Sequence, residues 1–325
     1  MKKELLTLEK VVESLEEESK SEKVIRAALP DLKIRDFDGG KAIFKIGNED
    51  VVASNGVVEN TLVNLGIPYA FYGDCTPKLQ QEIFNEFASK SKREAKFISR
   101  NKNLVAMLDT NVPYVSMFAI MNSVKTSLKD SNVERLDRIG FNNVINIVTK
   151  IQTNPPKRVG DFTRGGVSIE HDVTGIRGTF VFGYMYTLRC TNGLVTEDRR
   201  SINIRKYGDG DQGLFNRLKE AVDTVITSVK DNRLPEFMKT DEIKVTDPAS
   251  MVHRMSVENH ISARLEQLVL DRVPEIANNT TLYDVINLIT NVANGVGFNQ
   301  MRRLQSLGGE VLNHTSRCPT CKALL

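Results

Sequence analysis

The run Thr179-Phe-Val-Phe-Gly-Tyr-Met-Tyr-Thr-Leu-Arg-Cys-Thr-Asn-Gly-Leu194 decides the class of fold. Aromatic residues at 180, 182, 184 and 186 alternate with Val181, Gly183, Met185 and Thr187, and a period of two is that of a strand, whose successive side chains point to opposite faces. All four rings then share one face. Asn192-Gly193 is a strong hairpin signal, because both central positions of a tight type I′ turn need positive φ, so the chain is expected to return as a second strand from Leu194 to Ile204. Strand chemistry continues around it. Asn143 to Ile151 and Gly166 to Arg205 are rich in Val, Ile, Phe, Tyr and Thr, the residues that fit a pleated, half-buried surface.

Working outward, Ile34–Phe37 and Ala42–Ile46 flank Asp38-Gly39-Gly40 and read as a hairpin. Asn55 opens a short helix to about Leu65, and Thr76-Pro77 caps and starts another to about Ala88. Ala95–Ser99 and Leu104–Leu108 are extended, joined by Arg100-Asn-Lys-Asn103, and helical periodicity runs from Tyr114 to Leu128. Past Gln212 the pattern is helical: Leu214–Val229, Ala249–Leu270, Leu282–Ala293 behind Thr280 or Thr281, and about Gln300–Leu307. A mixed first half, a central antiparallel sheet and a helical C-terminal region make the fold α+β rather than alternating βαβ. The expected organisation is an amphipathic helix over 1–20, one α+β body over 21–312 and a tail over 313–325. The Pro155-Pro156 seam at 153–158 reads as a loop. In the helix, Leu5, Leu8, Val12 and Leu15 form a narrow stripe among Lys and Glu. It is expected to pack on the body or pair with a second copy in a homo-oligomer, and to be separable at little cost in stability.

Charge is nearly balanced in the 325 residues, 44 Lys and Arg against 41 Asp and Glu, so no global field draws a polyanion. Two local clusters depart from this. Residues 90–102 hold Lys90, Lys92, Arg93, Lys96, Arg100 and Lys102 against Glu94, and residues 189–206 hold Arg189, Arg199, Arg200, Arg205 and Lys206 against Glu197 and Asp198. Cations at turns and strand ends suit phosphate contacts, which position a nucleic acid without reading its sequence; the alternative is a solvated rim. The aromatic strand likewise either stacks bases or belongs to the core. No long apolar stretch or signal-like N-terminus occurs, and four scattered cysteines do not make a disulfide framework. The expectation is a cytoplasmic protein without a membrane partner.

His314, Cys318 and Cys321 offer three zinc ligands within eight residues, with Cys75, Cys190 or a second copy needed for the fourth, and otherwise the Cys pair is redox-active or incidental. His171, His253 and His260 read as structural or surface residues, and Gly165-Gly166, Gly175 and Gly178 as turn glycines. No phosphate-loop, dinucleotide, HExxH or GxSxG pattern appears, so no reaction is legible.

Tyr186-Thr-Leu-Arg189-Cys-Thr-Asn-Gly-Leu-Val195, together with Ile67–Leu79, Phe97–Leu108, Tyr283–Thr290 and Arg302–Gly309, resembles the phage and plasmid-like proteins of the domain of unknown function 932 family over residues 50–312. The tryptophans associated with such proteins are absent, and the first 20 residues and the terminal Cys pair look like additions. The resemblance implies a mobile element in a bacterial host cytoplasm and no particular reaction. The leading expectation is a non-enzymatic phage accessory protein that binds nucleic acid with little sequence preference, in replication or recombination. A self-assembling protein and an enzyme with an unmarked site are the alternatives.

Overall fold

A computed structural model describes residues 5–139, 142–153, 162–174, 177–187, 192–208, 211–276 and 280–317. In chain order the elements are β1 (Leu6–Thr7), α1 (Leu8–Lys20), β2 (Glu22–Ala28), β3 (Lys33–Asp38), β4 (Lys41–Ile46), β5 (Glu49–Ala53), α2 (Asn55–Leu65), α3 (Tyr69–Gly73), α4 (Pro77–Lys90), β6 (Glu94–Arg100), β7 (Asn103–Asp109), α5 (Met117–Val124), β8 (Asn132–Ile139), β9 (Asn142–Thr153), β10 (Thr163–Asp172), β11 (Thr179–Thr187), β12 (Asn192–Ile202), α6 (Gln212–Ser228), α7 (Leu234–Lys239), α8 (Pro248–Glu258), α9 (Ala263–Leu270), α10 (Leu282–Val292) and α11 (Phe298–Arg317). The fold is α+β, as its pattern of elements implies.

Among the described residues the strands form two sheets, the first in the order β2-β6-β7-β5-β4-β3 and the second β1-β8-β9-β10-β11-β12. All pairings are antiparallel except β5 with β7. Turn chemistry sets the hairpins. Gly39 and Gly40 take φ of 53° and 79° between β3 and β4, and Asn101 and Lys102 take 49° and 61° between β6 and β7, the left-handed conformation a two-residue turn demands. The α2 cap is Ser54, one residue before the expected Asn55, its hydroxyl accepting from Val57 N at 3.4 Å.

Each sheet has its own core. In the first, Phe44, Phe84 and Phe97 are buried with Val57 and Leu62, and the Phe44 and Phe84 rings lie 5.1 Å apart. In the second, Ile145, Ile147, Val167, Ile169 and Val181 pack in one cluster with Leu218, Val222 and Val225 of α6. A smaller cluster of Ile98, Ala106, Leu108 and Val112 draws in Tyr114 and Val173 and joins the two. The body between 21 and 312 therefore carries two sheets with separate cores rather than one continuous sheet.

Helix α1 belongs to the second core. Leu8, Val11, Val12 and Leu15 are all buried in the cluster that also holds Ile120, Met121 and Val124 of α5. The stripe is covered by its own chain, which corrects the expectation of a readily separable helix, since four buried aliphatic side chains at about 1.5–3 kcal/mol each are lost with it. Other boundaries also move. The helix expected over 249–270 is two, α8 and α9, broken where His260 takes φ of 52°. Helix α11 runs through Arg317, so the boundary at 313 falls inside it. Gly165 and Gly166 are inside β10, where a Cβ on Gly166 would lie 1.9 Å from Ile147 O; they permit close packing instead of turning the chain. Residues 154–161 of the proline seam and residues 175–176 lie outside the described residues. No described helix is long and apolar enough to cross a membrane.

Candidate nucleic-acid interface

Strand β12 is the edge of the second sheet and pairs with β11 in a register that sets Arg199 opposite Phe182, Arg200 opposite Val181 and Ser201 opposite Phe180. Between Phe182 and Tyr184 the register shifts. A bulge of this kind re-aims neighbouring side chains, and here Asp198 pins it. Its carboxylate accepts from Thr196 Oγ1 at 3.1 Å, Ser228 Oγ at 3.0 Å and Arg233 Nε at 2.6 Å, while Arg233 also donates to Asn313 Oδ1 of α11 at 2.8 Å. Burial alone would raise the Asp198 pKa, but the bonds and charge of Arg233 outweigh it and hold the carboxyl below its ordinary value. The strand is thus fixed to α6, α7 and α11 just before Arg199 and Arg200 leave on opposite faces.

On one face a cleft of about 450 Å³ opens between β12 and α6. Arg200, Lys206 and Arg217 give it three cations, and Asn203, Tyr207 and Thr224 line it as well. The three cations are exposed and Tyr207 is half-buried. A short turn of 3-10 helix over Ile204–Lys206, begun by Asn203 accepting from Arg205 N at 3.0 Å, carries Lys206 into the wall. Among the described residues Glu220 is the one carboxylate lining the cleft, 3.2 Å from the Arg217 guanidinium. The described wall therefore keeps a positive excess, suited to an anion.

The other face carries the aromatic strand, and the four rings divide. Tyr184 and Tyr186 are 1% and 3% exposed and pack with Val148 and Val195, the Tyr184 hydroxyl donating to Glu134 Oε2 at 3.3 Å. Burial first, and the Glu134 charge after it, push the Tyr184 hydroxyl well above its ordinary pKa. Phe180 and Phe182 are only half-buried. The Arg199 guanidinium lies 4.1 Å from the Phe180 centroid and 5.7 Å from that of Phe182.

The first basic cluster has a different fate. Lys96 is 4% exposed and donates from Nζ to Val112 O at 3.0 Å. Arg100 donates from Nε to Glu22 Oε1 at 3.0 Å and lies 3.7 Å from Glu18, while the Tyr114 hydroxyl donates to Glu22 Oε2 at 2.7 Å. Lys96 and Arg100 are therefore structural cations, a correction to their place among phosphate-contacting candidates: Lys96 is buried against a backbone carbonyl, and the Glu22 and Glu18 carboxylates take up the charge of Arg100. Lys92 and Lys102 are exposed, and Arg93, also exposed, donates to Asn64 O and Oδ1 at 3.2 Å. The clusters also occupy different sheets, β6 lying inside the first between β2 and β7. Of the second cluster, Arg199, Arg200, Arg205 and Lys206 are exposed, and Arg189 lies outside the described residues.

Cys190, Cys318, Cys321 and the His314 side chain also lie outside the described residues, and among those described no group of three or more His, Cys, Asp and Glu is placed to hold a metal ion. His171 is fully buried, its Nε2 donating to Val115 O at 2.8 Å and its Nδ1 accepting from Thr179 Oγ1 at 2.9 Å, and burial lowers its pKa to about 4. Arg217, Tyr207 and Thr224 were not singled out by the charge pattern. Their signal is faint: the buried Leu214, Leu218, Val222 and Val225 set Arg217 and Thr224 on the outer flank of α6, but only the docking of that helix beside β12 brings them to Arg200. Comparison with known proteins finds no family model, curated protein or solved structure that matches the chain.

Proposed function

We propose that the protein is a non-enzymatic nucleic-acid-binding protein that grips the phosphate backbone with little preference for sequence. The observation that carries this reading is the convergence of Arg200, Lys206 and Arg217 from a strand, a turn and a helix on one cleft. Cations brought together from three elements oppose one another electrostatically, and a bound polyanion relieves that opposition while releasing its own counterions. The cleft also offers the Asn203 side-chain NH2, which suits phosphate and sugar oxygens. A setting in phage replication or recombination rests on the sequence resemblance alone, of which Arg189–Gly193 is the most specific part.

The test is titration of labelled oligonucleotides of unrelated sequence across a salt series. Log affinity is expected to fall with log salt by about 0.7 to 0.9 per neutralised phosphate. Arg200→Ala, Lys206→Ala and Arg217→Ala combined should reduce that slope by about 0.7 to 0.9 for each contact removed and weaken all sequences alike. Absence of binding at about 50 mM salt, a condition that favours phosphate contacts, overturns the reading.

A further inference from the structure

We propose that the opposite face of β11 and β12 is a base-stacking platform, built on Phe180, Phe182 and Arg199, which makes single-stranded nucleic acid the preferred partner; this rests on the phosphate-binding reading of the cleft. The platform is a cross-strand row. Asn146, Ser168, Phe182 and Arg199 are successive partners across β9, β10, β11 and β12, and Glu170, Phe180 and Ser201 form the adjacent row. The Phe180 and Phe182 centroids are 6.1 Å apart, with Arg199 over both.

Its lower layer is locked by polar contacts. Ser168 Oγ donates to Asn146 Oδ1 at 2.7 Å, and Asn146 Nδ2 donates to Glu134 Oε2 at 3.4 Å. Arg302 of α11 bonds Glu170 and places its guanidinium 5.9 Å from the Phe182 centroid, opposite in charge to the carboxylate that holds it. Phe182 therefore has a guanidinium from each of two elements within 6 Å, and its ring needs little further ordering before a base arrives.

Arg199 differs from Arg302. It is exposed, and no carboxylate among the described residues is recorded as its partner. A guanidinium plane on an aromatic ring is itself a surface on which a base stacks, and it supplies charge for the adjoining phosphate. Tyr184 and Tyr186 extend the same strand but are buried, so the platform is two rings long. That accommodates one or two unstacked bases. A duplex keeps its bases stacked and presents base edges, sugars and phosphates but no ring faces, so it would use the cleft and leave the platform empty.

Because Arg199 and Arg200 are consecutive, the platform and the cleft open on the two faces of one strand, and that strand ends the sheet order among the described residues, so a chain passing round the edge meets both. A flexible single strand reaches both; a rigid duplex does not.

Three probes separate the terms: a thymidine oligonucleotide, an abasic strand of equal length with the same phosphates, and a duplex. The full-length protein is expected to bind the thymidine strand at least about tenfold more tightly than the abasic strand, since one stacked base corresponds to about a tenfold change or more. Phe180→Leu with Phe182→Leu should bring thymidine affinity down to the abasic value while abasic affinity stays unchanged, and Phe182→Tyr should retain the difference. If the leucine pair does not fold, the thymidine-to-abasic ratio of the unmodified protein still decides. Equal affinity for thymidine and abasic strands overturns the platform and leaves the phosphate reading standing. Failure to bind any of the three overturns both.

Discussion

The two basic clusters look alike in sequence and behave as opposites in the fold. Residues 90–102 hold more cations, yet Lys96 is sealed beneath Val112 O and Arg100 is held by Glu22 and Glu18. Residues 199–206 have fewer cations, but they sit on an edge strand and a short turn beside a helix that adds Arg217. Strand position makes the difference. An interior strand such as β6 has neighbours on both sides whose side chains and backbone can claim its charges, whereas β12, among the described residues, has a strand on one side alone. A run of positive charge therefore reports the availability of cations, and the sheet decides whether they are spent on the fold or left for a ligand.

Arg100 also ties the two halves together. Glu18 of α1, which packs in the second core, lies 3.7 Å from Arg100 of the first sheet and 2.6 Å from Arg138 of the second. The largest effect expected from breaking the comparison is Arg100→Ala, which leaves the nearly buried Glu22 carboxylate without its guanidinium. A loss of about 3 to 4 kcal/mol in urea-unfolding stability is expected, with nucleic-acid affinity of the folded fraction unchanged. A loss below about 0.5 kcal/mol, the size of an ordinary surface change, would place Arg100 with the binding cations instead.

His171 sharpens the same contrast at the connection between the sheets, since its Nε2 holds Val115 O on the segment leading from β7 into α5. Burial favours the neutral ring and lowers its pKa to about 4, against about 6.5 in an unfolded chain. Between these values the unfolded state takes up a proton that the folded state refuses, so stability is complete above about pH 6.5 and declines as pH falls toward 4. The full contribution is at most about 3.4 kcal/mol. Unfolding measured across this window should show a steeper decline for the unmodified chain than for His171→Gln, which cannot titrate; parallel profiles would remove His171 as the cause.

The smallest expected effect is on the stability of the exposed cluster. Arg200→Ala and Lys206→Ala should each shift unfolding by no more than about 0.5 kcal/mol, because neither side chain fills a core. A melting temperature that drops as far as that of Arg100→Ala would mean that the second cluster is structural too, and the comparison would fail.

Much of the secondary structure was legible in local chemistry. The β3–β4 hairpin, the Thr76-Pro77 start of α4 and the alternation in β11 all depend on residues one to four apart. Strands β2 and β8 were not legible. In Glu22–Ala28 four of the seven side chains are only half-buried and none is fully so, which blurs the alternation, and Asn132–Ile139 carries four charged residues. The fate of the aromatic ladder was only half visible. Its shared face follows from a period of two, but Tyr184 and Tyr186 lie in a buried cluster while Phe180 and Phe182 sit under Arg199, and that division depends on what packs over each end.

By itself, then, the sequence determined the α+β class, the β3–β4 hairpin and the presence of two concentrations of positive charge, because periodicity, turn residues and composition are properties of short stretches; Asn192 and Gly193, expected to turn the chain, instead pair with Thr187 and Tyr186 inside β12. The tertiary structure alone decided that there are two cores, that α1 belongs to one of them, and which cations remain available. Arg100 meets Glu22 across 78 residues of chain, and Arg217 reaches Arg200 only through the docking of α6 beside β12. Such pairings are settled by burial and desolvation between distant segments, which leave no mark in the spacing of neighbouring residues.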